Sequence, residues 1–166
     1  RSEILLINAS KWRGGDLVRQ LAANRPNWRF RVIGGDGKPF PANVRVDPFF
    51  DGADFSSMYR NARVFLFPLG NEDPCGTGRV VFEALICRTP AISTDRGGMK
   101  EVLPPRWLAP DDNVDTWLEL LDRTMSENVG DAEFERLMEP FDVETQLKCV
   151  SDAVGDLVRT KEMQPG

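Results

Sequence analysis

The sequence predicts an α/β protein with a Rossmann-like open parallel sheet and helices on both faces. Two observations indicate this class: short runs of strand length alternate with segments of helical periodicity, and the loops between them are short. The run at 63–68 is continuously apolar, which is typical of a strand buried on both faces of a parallel sheet. Ligands of such sheets bind outside the carboxyl ends of the strands.

The strands and helices are predicted in alternating order. Strands are expected where short runs are apolar or alternate between apolar and polar residues, at 3–8, 28–35, 43–49, 63–68, 90–94 and 107–110. The third of these is weaker, and the last is an edge strand. Helices are expected where apolar residues recur at helical spacing, at 14–25, 53–62, 78–88, 97–104 (a short turn or helix), 112–126, 134–141 and 142–160.

The composition is that of an ordinary soluble domain. The 166 residues are 41% hydrophobic and 28% charged, which is enough for one hydrophobic core. With 21 Lys and Arg against 26 Asp and Glu, the net charge of -5 argues against general binding to nucleic acid or to an anionic membrane. We expect a single domain over 1–166 and, because the first residue is Arg1 rather than Met, one domain of a longer protein.

The cysteine and histidine counts restrict the chemistry. Three scattered cysteines form neither a disulfide framework nor a zinc-type CxxC pair, which favours a reducing, cytoplasmic location. The chain contains no histidine, so a Ser/His/Asp or Cys/His triad and a His-ligated metal are excluded within it. No apolar run approaches the ~20 residues that a membrane-spanning helix needs.

Two glycine-rich loops at the predicted carboxyl edge are candidate anion sites. In the first, Lys11 and Arg13 precede a glycine pair and a helix N-terminus, an arrangement that can bind phosphate, or else the two cations are simply solvated. In the second, Gly76 and Gly78 allow the backbone to approach a ligand, and Thr77 can cap the helix or contact a phosphate oxygen. The alternative for the second loop is a plain tight turn.

A carboxylate lies one turn inside the helix that follows the second loop. Glu83 can accept hydrogen bonds from a ribose diol there, or it can be a surface residue that pairs with Arg79 at i,i+4. The loops at 34–40 and 93–98 also contain glycine pairs and lie at the same predicted edge. This convergence of four loops favours a binding site.

Three stretches in order, "NASKWRGGDLVRQLAANRPNWRFRVIGG", "MYRNARVFLFP" and "GRVVFEALICRTPAISTDRGGMKEVL", resemble the C-terminal, sugar-donor-binding domain of retaining GT-B fold glycosyltransferases of group 1, the family 4 type. That family carries two glutamates separated by seven residues. The resemblance covers nearly the whole chain and is densest from Gly78 to Val102. It implies one half of a GT-B fold and hexosyl transfer from a nucleotide-diphosphate sugar to a glycan or other hydroxyl acceptor.

The resemblance also implies roles for individual residues. Arg13 before Gly14 matches the family's basic residue that holds the donor diphosphate, and Glu83 matches the second glutamate, which binds the donor ribose. The glycine loop that cradles the diphosphate falls on 76–78. The residues expected to bind the sugar donor are Lys11, Arg13, Gly14, Gly76, Thr77, Gly78, Arg79 and Glu83.

The first glutamate of the pair is displaced in this chain. It is expected eight positions before Glu83, where the sequence has Cys75. The text "EDPCGTGR" is similar to the family's Glu-Pro-x-Gly-Arg with two residues inserted, which makes Asp73 or Glu72 the candidate for its place beside the transferred sugar. The expected catalytic residues are therefore Glu83, Asp73 and Glu72.

The resemblance implies a reaction without cofactor or metal, in which basic side chains and a helix N-terminus neutralise the leaving diphosphate. It also implies an N-terminal Rossmann domain as partner, so that the isolated chain binds a nucleotide sugar without turning it over, and any membrane contact is peripheral through that other part. Two alternatives stay open. One is a non-catalytic module, favoured by Cys75, and the other is half of a sugar-nucleotide epimerase, an enzyme class that usually needs histidines.

Overall fold

The computed structural model describes residues 1–10, 13–49, 55–70, 78–110 and 112–162, with the backbone alone for 154–162. Its strands are β1 (Glu3–Ile7), β2 (Arg29–Ile33), β3 (Val44–Asp47), β4 (Ala62–Phe67), β5 (Ala91–Thr94) and β6 (Leu108–Ala109). Its helices are α1 (Gly15–Asn24), α2 (Phe55–Asn61), α3 (Arg79–Ile86), α4 (Met99–Val102), α5 (Val114–Ser126), α6 (Asp131–Met138) and α7 (Val143–Glu162). Short 3₁₀ turns cover Pro105–Trp107 and Glu139–Phe141.

The six strands form one sheet in the order β3-β2-β1-β4-β5-β6, and every neighbouring pair is parallel. The chain builds outward from β1 to β3, then crosses back through α2 to place β4 on the other side of β1. The strand order therefore reverses between β1 and β4, which creates the crevice where open α/β sheets bind ligands. The predicted Rossmann-like parallel sheet is confirmed.

Helices cover both faces of this sheet because strand residues point alternately to opposite sides. In β4, Val64 and Leu66 pack into the core beneath α1 and α5, whereas Phe65 and Phe67 pack into the core beneath α2, α3 and α6. Each core contains a fully buried tryptophan, Trp117 in the first core and Trp107 in the second. Burial of such side chains supplies much of the driving force for folding.

The observed boundaries coincide with the predicted ones or differ from them by up to three residues. Ala62 was expected at the end of a helix, but it begins β4 because it is buried and pairs with Glu3 of β1. β3, which the sequence predicted as the weaker strand, lies at one edge of the sheet with two of its four residues exposed, and the predicted edge strand β6 lies at the other. The segment predicted from residue 134 begins earlier, at Asp131, where Gly130 starts the helix in an extended conformation.

The last helix, α7, carries an apolar stripe on its surface. Val143, Leu147 and Val150 recur at helical spacing and are 60% to 70% exposed. Within the described residues, no helix combines the length and the apolar character needed to span a membrane.

Candidate functional site

A cavity of about 350 Å³ opens where the strand order reverses. It lies at the carboxyl ends of β1 and β4 and is bounded by α2 and α3. Its volume is in the range of small-molecule sites. Among the residues that the structure describes, the lining combines two cations and one carboxylate with an aromatic wall; these residues are Ile7, Asn8, Arg13, Phe49, Phe55, Tyr59, Phe67, Arg79, Val80 and Glu83.

The loop between β1 and α1 is shaped by a glycine pair. Gly14 has a φ of 78°, and a Cβ on it would lie 2.0 Å from Cγ of Pro68, the residue after β4. A Cβ on Gly15 would lie 2.2 Å from the carbonyl oxygen of Ala9. Only glycine lets the loop close onto β4 in this way, because any side chain would collide with the neighbouring backbone or proline ring.

That close approach places Arg13 against the end of β4. Its guanidinium carbon lies 5.2 Å from the centroid of the Phe67 ring, within the range of a cation–π contact. Arg13 also lies directly before the N-terminus of α1, whose first N–H groups carry partial positive charge. This edge of the cavity is therefore electropositive.

The first turn of α3 borders the cavity from the other side. Gly78 is the N-cap of α3, and a Cβ on it would lie 2.3 Å from Cζ of Phe67, so the absent side chain allows the helix to pack on that ring. Arg79 and Val80 of this turn line the cavity. The N–H of Val81 donates to the Gly78 carbonyl at 2.9 Å, whereas the two N–H groups before it have no intrahelical acceptor in a helix and can face an anion at this edge.

Glu83 lies one turn further along α3 and makes two side-chain contacts. Its Oε2 accepts a hydrogen bond of 2.9 Å from the Tyr59 hydroxyl of α2, and its Oε1 lies 3.0 Å from Nε of Arg79. Burial and the neighbouring carboxylate raise the pKa of Tyr59, so the phenol keeps its proton and stays a hydrogen-bond donor. The Glu83 side chain remains 36% exposed toward the cavity.

The loop after β5 braces the segment that leaves β4. The backbone N–H of buried Leu69 donates to Oγ1 of Thr94 at 3.1 Å, and Nη1 of Arg96 donates to the Leu69 carbonyl at 2.7 Å. Arg96 also pairs with Asp112 at 3.0 Å. The loop at 93–98 thus lies at the predicted edge, and it holds its neighbour in place rather than lining the cavity.

The structure brings part of the predicted site together. Arg13, Arg79 and Glu83 line one cavity, with Gly14 and Gly78 forming the backbone contacts behind it. The pairing of Glu83 with Arg79, which the sequence offered as the alternative, is also present, because Oε1 of Glu83 lies 3.0 Å from Nε of Arg79. The remaining predicted residues lie outside the described part of the chain: Lys11, Glu72, Asp73, Cys75, Gly76 and Thr77.

Sequence reasoning missed the α2 side of the cavity. Phe55 and Tyr59 line it, and Phe67 connects its two charged edges. A signal existed for Tyr59, because it is the one tyrosine of the sequence and falls within "MYRNARVFLFP". Its proximity to Glu83, 24 residues away, is a tertiary contact that no local pattern encodes.

No metal site is evident among the residues that the structure describes. In that part of the chain, His, Cys, Asp and Glu residues do not form a group of three or more that could hold an ion. The metal-independent reaction expected from the sequence stays a prediction.

The fold has many relatives among solved structures. A glycosyltransferase from Rickettsia africae superposes with a TM-score of 0.74 at 11% identity, over 95% of this chain and 48% of that one. Anabaena HepE in complex with UDP-glucose gives 0.71 at 16% identity, over 93% and 48%. An α,α-trehalose 6-phosphate synthase from Burkholderia multivorans gives 0.68 at 12% identity, over 97% and 44%.

These likenesses establish the fold, and the chain spans less than half the length of each of these three proteins. No curated protein matches the sequence significantly. The family model for glycosyl transferases group 1 matches residues 15–127, which include α1, the whole sheet except β1, and α3 with Glu83. This match spans well over half of the chain, and the chain therefore belongs to the glycosyl transferases group 1 family.

Proposed function

We propose that this chain is the C-terminal domain of a retaining glycosyltransferase and binds its nucleotide-diphosphate sugar donor. The observation that carries the proposal is the cavity at the switch point of the sheet, where Arg13, the N-terminus of α3 and Glu83 meet. These groups complement the charged and hydroxyl-bearing parts of such a donor. A donor-binding half without its partner domain turns over no substrate, so the chain alone is expected to bind and not to transfer.

The two electropositive edges are suited to the diphosphate. A guanidinium such as that of Arg13 binds phosphate oxygens through charge-assisted hydrogen bonds, and the free N–H groups of the α3 N-terminus add further donors. Gly78 lets the start of α3 pack directly on the Phe67 ring, because no side chain lies between them, and this packing holds the helix N-terminus at the cavity. In the reaction, these groups would stabilise the charge that develops on the leaving diphosphate without a metal ion.

Glu83 is suited to the ribose of the donor. Its carboxylate faces the cavity from α3, one turn behind the phosphate-binding edge, and carboxylates accept hydrogen bonds from ribose hydroxyls in other dinucleotide sites. Asp73 or Glu72 remains the proposed contact for the transferred hexosyl group. The acceptor is a glycan or another hydroxyl compound held by the second Rossmann domain.

The structural relatives support this proposal by analogy. Anabaena HepE, whose structure contains UDP-glucose, shares the fold over 93% of this chain. The same neighbours are about twice the length of this chain, as expected if it corresponds to one of two domains. We therefore propose, by analogy with this relative, that the cavity of this chain binds a nucleotide sugar, and binding measurements test the proposal.

Calorimetric titration with UDP, GDP and ADP and their hexose conjugates tests the proposal. We expect one diphosphate to bind selectively, and Arg13→Ala to weaken it by roughly 10- to 100-fold because charge-assisted hydrogen bonds to phosphate are lost. Arg29→Ala is the matched control, since Arg29 is exposed at the amino end of β2, on the opposite edge of the sheet.

Two results would contradict the proposal. If neither diphosphates nor sugar conjugates bind at millimolar concentration, the non-catalytic module becomes the better reading of the fold. If Arg13→Ala and Arg29→Ala weaken binding equally, the effect is one of net charge and the cavity is not the binding site.

A further inference from the structure

Tyr59 lines the cavity and is hydrogen-bonded to Glu83. Its side chain is 1% exposed, and its hydroxyl donates to Oε2 of Glu83 at 2.9 Å. Tyr59 and Glu83 line the same cavity. The hydrogen bond from this buried hydroxyl fixes the position of one of the two oxygens of a carboxylate whose side chain is 36% exposed.

Tyr59 is itself held by packing and by its backbone. Its ring makes an edge-to-face contact with Phe65 of β4, with centroids 5.4 Å apart and planes at 85°. The hydroxyl of buried Thr89 donates to the Tyr59 carbonyl at 2.6 Å, which ties this turn of α2 to the segment between α3 and β5. Because the ring and the backbone of Tyr59 are both fixed, core packing determines the position of its hydroxyl.

The second contact of Glu83 is much weaker as a constraint. Arg79 pairs with Oε1, but its side chain is 90% exposed and precedes the glutamate in the helix, the less favourable order for an i,i+4 pair. Such exposed pairs contribute little and are readily exchanged for other partners. The fixed orientation of the carboxylate therefore comes from Tyr59.

We propose that Tyr59 is a positioning residue that holds the Glu83 carboxylate in the orientation that accepts the donor ribose hydroxyls. The proposal rests on the donor-binding function proposed above. It assigns the affinity for the ribose to two residues on different helices, of which only Glu83 touches the ligand. Preorganisation of this kind raises affinity because the carboxylate does not have to be ordered when the ligand binds.

Tyr59→Phe removes the hydroxyl and keeps the ring that packs on Phe65. We expect this variant to weaken binding of the diphosphate that the wild-type chain prefers among UDP, GDP and ADP by roughly 5- to 20-fold, the loss of one hydrogen bond to a charged group. In a Glu83→Gln background the same substitution is expected to have less than about twofold effect, because the carboxylate that Tyr59 orients is gone.

A spectroscopic measurement tests the hydrogen bond without any nucleotide. Tyr59 is the one tyrosine in the chain, so tyrosine labelled with ¹³C at Cζ gives a single resonance. We expect that resonance to shift in Glu83→Gln and again when the diphosphate is added to the wild-type chain. Thr124→Val is the control for binding, since it removes a buried hydroxyl bonded to the Leu120 carbonyl in α5, on the opposite face of the sheet.

The outcomes separate this inference from the function on which it rests. Equal binding by wild type and Tyr59→Phe, or an equal loss in both Glu83 backgrounds, overturns the role of Tyr59 and leaves donor binding intact. A Cζ resonance that is unchanged in Glu83→Gln also overturns it. Absence of binding by the wild-type chain overturns the proposed function and the inference together.

Discussion

At the scale of single residues, the glycines of the chain differ in what the missing side chain permits, and Gly14 next to the cavity is among the most constrained. Gly14 combines a left-handed φ of 78° with direct contact to Pro68. Gly37 has a similar φ of 79°, but the space that a Cβ would occupy is open. Gly130 also has open space there, and its φ of -80° is ordinary. The three positions separate the cost of backbone strain from the cost of steric collision.

Alanine at each of these glycines should give a graded loss of stability. We expect the free energy of unfolding to change by less than about 0.5 kcal/mol for Gly130→Ala and to fall by about 1 kcal/mol for Gly37→Ala, where only the backbone is strained. For Gly14→Ala we expect a loss of about 2 to 4 kcal/mol, because strain and overpacking add. Urea denaturation measures all three. A Gly14→Ala effect no larger than that of Gly37→Ala would show that Pro68 moves aside.

At the scale of elements, α3 ends in a motif that usually requires glycine. The N–H of Thr89 donates to the Ala84 carbonyl and that of Arg88 to the Leu85 carbonyl, the hydrogen-bond pattern of a Schellman motif. Arg88 adopts a φ of 58° at its left-handed position. The strain is offset by contacts of the guanidinium to α6, where it lies 3.0 Å from Glu135 and 6.0 Å from the centroid of the Phe134 ring.

Two substitutions at Arg88 separate the strain from these contacts. Arg88→Ala loses the contacts to α6 and keeps the Cβ, whereas Arg88→Gly loses the contacts and relieves the strain. We expect the glycine variant to be more stable than the alanine variant by about 1 kcal/mol in chemical denaturation. Equal stability of the two variants would mean that the left-handed conformation at this position costs nothing.

At the scale of the whole molecule, ion pairs connect the elements on the β3 side of the sheet. One pair joins α1 to the loop after β2, and another joins β2 to β3. A hydrogen bond from Arg19 holds the pKa of Asp36 below its ordinary value, against the opposing effect of burial. Burial would raise the pKa of Asp47, but hydrogen bonds from Arg31 and Arg45 outweigh it and hold that pKa low as well. Both carboxylates are thus charged and paired in the folded chain.

These shifts predict a specific acid sensitivity. An aspartate with a lower pKa in the folded chain than in the unfolded chain adds stability above its unfolded pKa of about 3.9, and this stability is lost as the pH falls through the folded pKa. We expect Asp36→Asn/Asp47→Asn to be less stable than wild type at pH 7 and to approach its stability as the pH falls below the unfolded pKa of about 3.9 and through the lower folded pKa values. Asp152→Asn, an exposed change of the same kind on α7, is the matched control. Curves for the double variant that stay parallel to wild type down to pH 2 would contradict the assignment.

The sequence by itself determined the order of the elements and several residues of the site. Hydrophobic periodicity is local, so the alternation of strands and helices was predicted to within a few residues, and glycine placement marked the loops at Gly14 and Gly78. Arg13 and Glu83 were found because their spacing from those glycines is also a local property. The resemblance to a glycosyltransferase family followed from the same local text and agrees with the family match over 15–127.

Only the tertiary structure decided which of these sequence segments contact one another. The order β3-β2-β1-β4-β5-β6 places β4 beside β1, and this brings Arg13 and Phe67 to the cavity that Glu83 of α3 also lines. The same packing sets the Tyr59 hydroxyl against Glu83. Contacts of this kind join residues far apart in the chain, and their stability comes from burial shared among many side chains, so no short window of sequence contains them.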